Sequence, residues 1–175
     1  MRCEIAVDID SCPDHVWAVL TDLTRWPRWT SAVREATLVG GGALALHGVV
    51  RLHVPRLPER TWRVGEYQAR RRRFTLHGEG LGGRASVRFV LTAPDGDGAR
   101  TRLVVTHDRG GWMSSAMARL TARTVDGHLQ TLAGDLKEHC ETRRRVGATG
   151  PTGTGGPGAP GGPATAAAPG AATAS

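Results

Sequence analysis

The sequence lacks any long hydrophobic run: nowhere in its 175 residues is there a stretch close to the roughly 18 apolar residues that a membrane-spanning helix needs. Its N-terminal segment alternates charged with apolar residues and has no continuous apolar stretch, so no signal peptide is expected. Cysteine is also scarce. Cys3, Cys12 and Cys140 are odd in number and share no metal-ligand spacing, so neither a disulfide framework nor a zinc module is indicated. These absences predict a protein of the reducing cytoplasm that holds no metal and no cofactor.

Acidic residues are outnumbered, 16 against 23 basic ones, which gives a formal net charge of +7, and Lys137 is the only lysine. The densest arginine runs, residues 70–73 and 143–145, lie beside turn or terminus signals, where charged side chains are normally solvated. Nucleic-acid-binding surfaces usually interleave basic residues with aromatic ones, and we expect no nucleic-acid partner. A module that meets an acidic partner through residues 70–73 is an alternative, and its association would be sensitive to salt.

The C-terminal segment has no residue from which a core could be built. Residues 147–175 contain only glycine, alanine, proline, threonine and one serine. Such a segment cannot bury enough apolar surface to offset the entropy lost on ordering. We therefore predict one folded domain over residues 1–145 and a disordered tail over residues 146–175. A domain of that length buries about two-thirds of its unfolded-state surface, enough for a core with an internal cavity.

Hydrophobic periodicity predicts an α+β domain. Residues 3–9 alternate as a half-buried strand does, and helical patterns follow at residues 13–23 and, more briefly, at 25–32. From Met113 to Cys140, apolar residues recur every three to five positions, which indicates one long amphipathic helix packed on a sheet. Between these helices, turn signals separate six extended runs, which favours an antiparallel meander. The six runs are residues 34–39, 44–54, 60–67, 73–79, 83–93 and 101–107.

Two stretches near the N-terminus carry a family resemblance. Residues 13–22 read PDHVWAVLTD, and residues 26–29 read WPRW. They resemble the P-x-x-V-W-x-x-L-x-D and W-P-x-W pattern that follows the first strand in the START-like (SRPBCC) superfamily, most closely in its polyketide cyclase/dehydrase branch. Residues 55–58, which lead into Trp62, and the closing residues 132–141 are similar to the same family. The resemblance covers roughly residues 3–142.

The resemblance implies a helix-grip fold, in which a curved antiparallel sheet of the seven predicted strands wraps around the long C-terminal helix. The cavity between sheet and helix would bind a small hydrophobic or aromatic molecule, polyketide-like or lipid-like. Met113 and Met117 would lie near its mouth, where the flexible thioether suits ligand contact. The oligomeric state cannot be read from the sequence. The residues expected to line the ligand site are Trp29, Leu46, Val50, Trp62, Val64, Phe74, Leu76, Phe89, Leu103, Val105, His107, Met113, Met117 and Leu120.

Three residues are candidate acid–base groups if the protein is instead a polyketide cyclase, aromatase or dehydratase that confines a reactive chain: Glu66, Tyr67 and His107. Strand alternation places Glu66 on the same face as Trp62, and His107 on the same face as the apolar residues of the last strand. The competing interpretation for Glu66 is a solvated strand end. For His107 it is a histidine whose hydrogen bonds are satisfied within the core.

The sequence departs from the resemblance at two catalytic positions. Aromatase members of the family have a tyrosine where this chain has Val33, and an arginine shortly after a tryptophan on a central strand. Here the corresponding stretch is residues 66–68, Glu-Tyr-Gln. Ligand binding is therefore the leading hypothesis, and catalysis is the alternative.

Overall fold

The computed structural model describes residues 2–80, 83–94, 96, 98–110 and 115–148, with side chains in the last range for residues 123–142. Seven antiparallel strands form one sheet in the order β1-β7-β6-β5-β4-β3-β2. The strands are β1 (Arg2–Ile9), β2 (Glu35–Val39), β3 (Val49–His53), β4 (Arg60–Gln68), β5 (Arg73–Gly80), β6 (Gly83–Thr92) and β7 (Thr101–Gly110). The helices are α1 (Pro13–Thr21), α2 (Trp26–Trp29) and α3 (Ser115–Ala148), and 3₁₀ turns occupy Leu23–Arg25 and Ala69–Arg71.

This architecture confirms the predicted α+β helix-grip fold. From β2 to β7 every strand pairs with its neighbour in sequence. Strand β1 pairs with β7, so β1 and β2 are at the two ends of the strand order. Side chains of β1 alternate as predicted, with the odd-numbered residues less exposed than the even-numbered ones. The long helix α3 is tied to the end of β1 by polar contacts: Lys137 Nζ donates to the Asp8 carbonyl at 2.6 Å, and Glu141 accepts from the Asp10 N–H at 3.0 Å.

The register of the four central strands sets three rows of side chains on the face that meets α3. Successive partners in a row lie directly opposite one another on adjacent strands, so their side chains are neighbours. The outer row is Trp62, Gly78, Ala85 and Arg109; the middle row is Val64, Leu76, Val87 and His107; the inner row is Tyr67, Phe74, Phe89 and Val105.

The inner row forms the centre of the hydrophobic core. Phe74 and Phe89 stack with their ring centroids 4.7 Å apart, and Trp26 of α2 meets Phe89 edge-on at 5.9 Å. From α3, the fully buried Leu136 and Cys140 pack into the same core. Large apolar residues thus fill this end of the space between sheet and helix.

Strand β4 departs from strict alternation at Gly65. Val64 pairs with Leu76 and Glu66 with Thr75, so Gly65 is an extra residue in a β-bulge. Beyond the bulge, Tyr67 turns towards the core and Glu66 towards the opposite face. The prediction that Glu66 shares the face of Trp62 is therefore wrong, because a bulge reverses the alternation of side chains along the strand.

Residues 40–48 form a loop, whereas the sequence predicted that a strand begins at residue 44; β3 begins only at Val49. Gly40, Gly41 and Gly42 all have positive φ, between 73° and 89°, a conformation that glycine adopts without steric cost. The side chain of Leu46 in this loop is 49% exposed. Leu46 is not among the residues that line the cavity described below.

The C-terminal helix extends to Ala148, beyond the predicted domain end at residue 145. The predicted disordered tail falls mainly on residues 149–175, which lie outside the described residues. No described helix combines the length and the apolar character needed to cross a membrane.

Candidate ligand cavity

A cavity of about 390 Å³ lies between the inner face of the sheet and α3. The sheet contributes Leu76, Val87 and Phe89, and α3 contributes Leu129 and Leu132. A volume of a few hundred Å³ with a mostly apolar lining is typical of sites that enclose a small organic molecule.

Trp26 forms part of the cavity wall and is 2% exposed. Its indole Nε1 donates a hydrogen bond to the carbonyl oxygen of Leu20 at 3.0 Å. Because that polar atom is satisfied by the backbone, the ring can offer the cavity an apolar surface. Trp26 therefore both packs at the junction of α2 with the sheet and contributes to the wall.

The loop between β3 and β4 covers one side of the cavity. Val54, Leu57 and Pro58 from this loop line the wall. A ring nitrogen of His128 on α3, Nε2, lies 2.9 Å from the carbonyl oxygen of Pro55. This hydrogen bond connects the loop to α3. The positions of the lining residues Val54, Leu57 and Pro58 therefore depend on a contact between the loop and the helix.

His107 is the most deeply buried titratable side chain on the cavity wall, at 4% exposure. Its Nδ1 lies 3.8 Å from Oδ1 of Asp126 on α3. Burial lowers the pKa of His107, as does the positive charge of Arg109, while Asp126 acts in the opposite direction. The same carboxylate, together with burial as the larger cause, raises the pKa of the Cys3 thiol on β1. Asp126 thus links α3 electrostatically to both β7 and β1.

The lowered pKa of His107 predicts a pH-dependent stability. Between the folded-state pKa and the ordinary value of about 6.5, the unfolded chain binds more protons than the folded chain. The free energy of unfolding should therefore fall as the pH drops through this window. Urea unfolding of the wild type and His107→Gln from pH 5 to pH 8 measures this, and the variant should show the shallower slope.

Asp126→Asn is the companion variant for this experiment. Removing the carboxylate that favours the charged imidazole lowers the pKa of His107 further, so the slope below pH 6.5 should become steeper than in the wild type. Equal slopes for the wild type and His107→Gln would contradict the assignment.

Two arginines form what we call the arginine end of the cavity: Arg60 at the start of β4 and Arg109 near the end of β7. The guanidinium carbon of Arg60 lies 5.9 Å from the ring centroid of Trp62. Burial and the charge of Arg109 both lower the pKa of Arg60. A Cβ at residue 78 would lie 2.9 Å from Trp62 and 3.0 Å from Arg60, so Gly78 leaves room for both side chains.

The structure brings together four of the predicted ligand residues on the cavity wall, Trp62, Leu76, Phe89 and His107. Trp29 lies outside it, half-buried and stacked on His139 with ring centroids 5.9 Å apart. Met113, Met117 and Leu120 lie outside the residues whose side chains are described. The remaining predicted residues are buried in the hydrophobic core and do not line the cavity. These are Val50, Val64, Phe74, Leu103 and Val105.

Two of the three acid–base candidates lie away from the cavity. Glu66 is on the opposite face of the sheet, where Oε1 lies 2.9 Å from Arg73 Nε and Oε2 accepts from the Thr75 hydroxyl at 3.3 Å. Tyr67 packs against Trp17 with ring centroids 5.8 Å apart. Of the three candidates, His107 alone lines the cavity.

The sequence analysis missed Arg60, Arg109 and His128, which supply most of the polar groups on the described wall. Arg60 and Arg109 have the same strand parity as Trp62 and His107, so alternation alone could have identified them. They were passed over because arginine is normally exposed. Among the described residues, no three histidine, cysteine, aspartate or glutamate side chains are grouped as a metal site requires.

Comparison with known proteins identifies the family. Residues 2–141 match the model of a family described as polyketide cyclase / dehydrase and lipid transport. The chain belongs to this family. A search of curated proteins finds no match.

Solved structures with the fold of this polyketide cyclase family member include the Zhui aromatase/cyclase from Streptomyces sp. R1128. The TM-score is 0.70 at 20% identity, over 84% of this chain and 97% of that one. A START superfamily protein from Mycobacterium smegmatis matches with a TM-score of 0.64 at 15% identity, over 81% and 98% of the two chains. The di-domain ARO/CYC BexL from the BE-7585A biosynthetic pathway matches with a TM-score of 0.65 at 17% identity, over 82% of this chain and 46% of BexL. At these identities the similarity establishes the fold.

Proposed function

We propose that the protein binds a small hydrophobic or aromatic molecule, polyketide-like or lipid-like, in the cavity between its sheet and α3. The observation that carries the proposal is a cavity of about 390 Å³ with an apolar lining and a few polar groups, at His107, His128 and the arginine end. Such a combination is the usual basis of small-molecule recognition. Membership of a family described by polyketide cyclisation and lipid transport supports the same class of ligand.

One further feature favours binding over catalysis. Val33, at the position where the resemblance places a tyrosine in aromatases, is on the cavity wall and 5% exposed. An apolar side chain there can contact a ligand but cannot transfer a proton. We also propose a cytoplasmic location, because three cysteines at unrelated positions are typical of a protein whose thiols stay reduced.

Native mass spectrometry of the protein purified from its own source tests the proposal directly. We expect a bound molecule of low mass that is released on denaturation. Tryptophan fluorescence provides the second measurement, because Trp62 faces the cavity whereas Trp17 packs against Tyr67 and Phe74. Trp62→Phe should reduce the change in fluorescence on ligand binding, and Trp17→Phe should leave that change as in the wild type. A protein that purifies empty and responds to no aromatic compound or lipid would exclude the proposal.

The alternative, a cyclase or dehydratase, is favoured by one observation: His107 lines the cavity, and its Nδ1 lies 3.8 Å from Oδ1 of Asp126. A histidine beside a carboxylate is suited to proton transfer. Turnover of a poly-β-ketone thioester, followed by mass spectrometry, tests this alternative. Loss of turnover in His107→Ala with retention in Glu66→Gln, on the opposite face, would support an enzyme, whereas binding without turnover would support a carrier.

A further inference from the structure

The arginine end concentrates positive charge in a cavity that is otherwise apolar. Arg60 and Arg109 both line it, and among the lining residues that the structure describes none is a carboxylate. Arg109 belongs to the outer row of the sheet, together with Trp62, Gly78 and Ala85. The side chains of Trp62 and Arg60 lie over Gly78, and the small side chain of Ala85, next to Arg109 in the row, lines the cavity.

Arg60 and Arg109 line the same cavity, and burial together with the charge of Arg109 lowers the pKa of Arg60. Each is partly withdrawn from water, and Arg60 lies over the ring of Trp62. Like charges at a partly desolvated site repel each other, and an anion bound beside them relieves that repulsion. The planar fork of a guanidinium also matches the two oxygens of a carboxylate.

We propose that the ligand is an organic acid whose carboxylate is held by Arg60 and Arg109 while its apolar body lies against Trp62, Leu76 and Phe89. This inference rests on the proposed function and names the chemical class of the ligand. The rest of the described wall is apolar except for His107 and His128. The site therefore suits a molecule with a single acidic end rather than one charged along its length.

Isothermal titration calorimetry with two matched pairs of compounds tests the inference: 2-naphthoate against 2-naphthamide, and decanoate against decanamide. Within each pair the apolar body is the same and the charge differs. We expect the wild type to bind the acids at least about 10-fold more tightly than the amides, the size of effect that a hydrogen bond to a charged group gives. Arg60→Gln and Arg109→Gln should each weaken binding of the acids and leave the amides unchanged.

Arg63→Gln is the matched control, because Arg63 lies on the same strand but is exposed on the opposite face. It removes the same charge and should retain the preference for acids. The comparison of acid with amide in the wild type also tests the inference without any variant, should one of the arginine variants fold poorly.

Three results are distinguishable. Preference for the acids that is lost in Arg60→Gln and Arg109→Gln but kept in Arg63→Gln supports the inference. Equal binding of acids and amides by the wild type overturns the acidic ligand and leaves the proposed binding function intact. Binding of none of the four compounds overturns both.

Discussion

Replacing Phe74 by alanine should lower the free energy of unfolding by about 3–5 kcal/mol, the range found when a buried phenylalanine is truncated. Phe74 is completely buried, stacks on Phe89 and meets Trp17 edge-on at 5.8 Å. Phe74 is surrounded by the packed side chains of the core. Because such a core relaxes only partly after truncation, the lost ring should leave an empty space. Urea unfolding followed by circular dichroism measures the change.

Leu46→Ala is the control for this measurement. The side chain of Leu46 is 49% exposed in the loop before β3, and an exposed substitution usually changes stability by no more than about 0.5 kcal/mol. Phe74→Leu, which keeps most of the apolar volume, should fall between the two. If Phe74→Ala and Leu46→Ala changed stability equally, the packing described for the inner row would be wrong.

The fold could be predicted because its determinants are periodic and local. Alternation of apolar and polar residues marked β1 and the later strands, and the motif over residues 13–29 pointed to the order of elements that follows. In an antiparallel meander each strand pairs with its neighbour in sequence, so finding the strands nearly defines the sheet. The recurrence of apolar residues every three to five positions up to Cys140 predicted α3 in the same way.

Glu66 shows where this reasoning fails. Alternation assumes that no residue is inserted into the ladder, but Gly65 forms a bulge that reverses the faces of all residues after it on β4. The hydrophobic pattern does not indicate the bulge. Val64 and Tyr67 are both apolar enough to face the core, so the sequence fits a strand with or without the extra residue. The acid–base candidate was consequently assigned to the wrong face of the sheet.

The cavity wall was harder to predict than the core. Strand alternation identifies residues that face α3 but cannot say which of them meet another side chain and which meet open space. Phe74 and Leu76 face the same way on β5, yet only Leu76 lines the cavity. The difference arises from α3 and the β3–β4 loop, whose distance from the sheet at each point depends on tertiary packing.

Substituting Ala85 by phenylalanine should strongly weaken ligand binding while leaving the fold intact. Ala85 faces the cavity between Gly78 and Arg109. A cavity of about 150 Å³ can hold a benzene ring, so the new phenyl group would occupy on the order of a third of the 390 Å³ available here. We expect the dissociation constant of decanoate or 2-naphthoate to rise by about 100-fold or more, which corresponds to roughly 2.7 kcal/mol.

Ser86→Phe separates a blocked cavity from a general disturbance of the strand. Ser86 is the next residue on β6, and it lies on the opposite face of the sheet, opposite His77 and Asp108. The same bulky side chain there should leave the dissociation constant within about twofold of the wild type, since residue 86 does not line the cavity. Circular dichroism melting of both variants establishes that they are folded. Equal loss of binding in both would mean that the ligand does not occupy this cavity, whereas loss in Ala85→Phe alone would place it against the outer row, next to the two arginines.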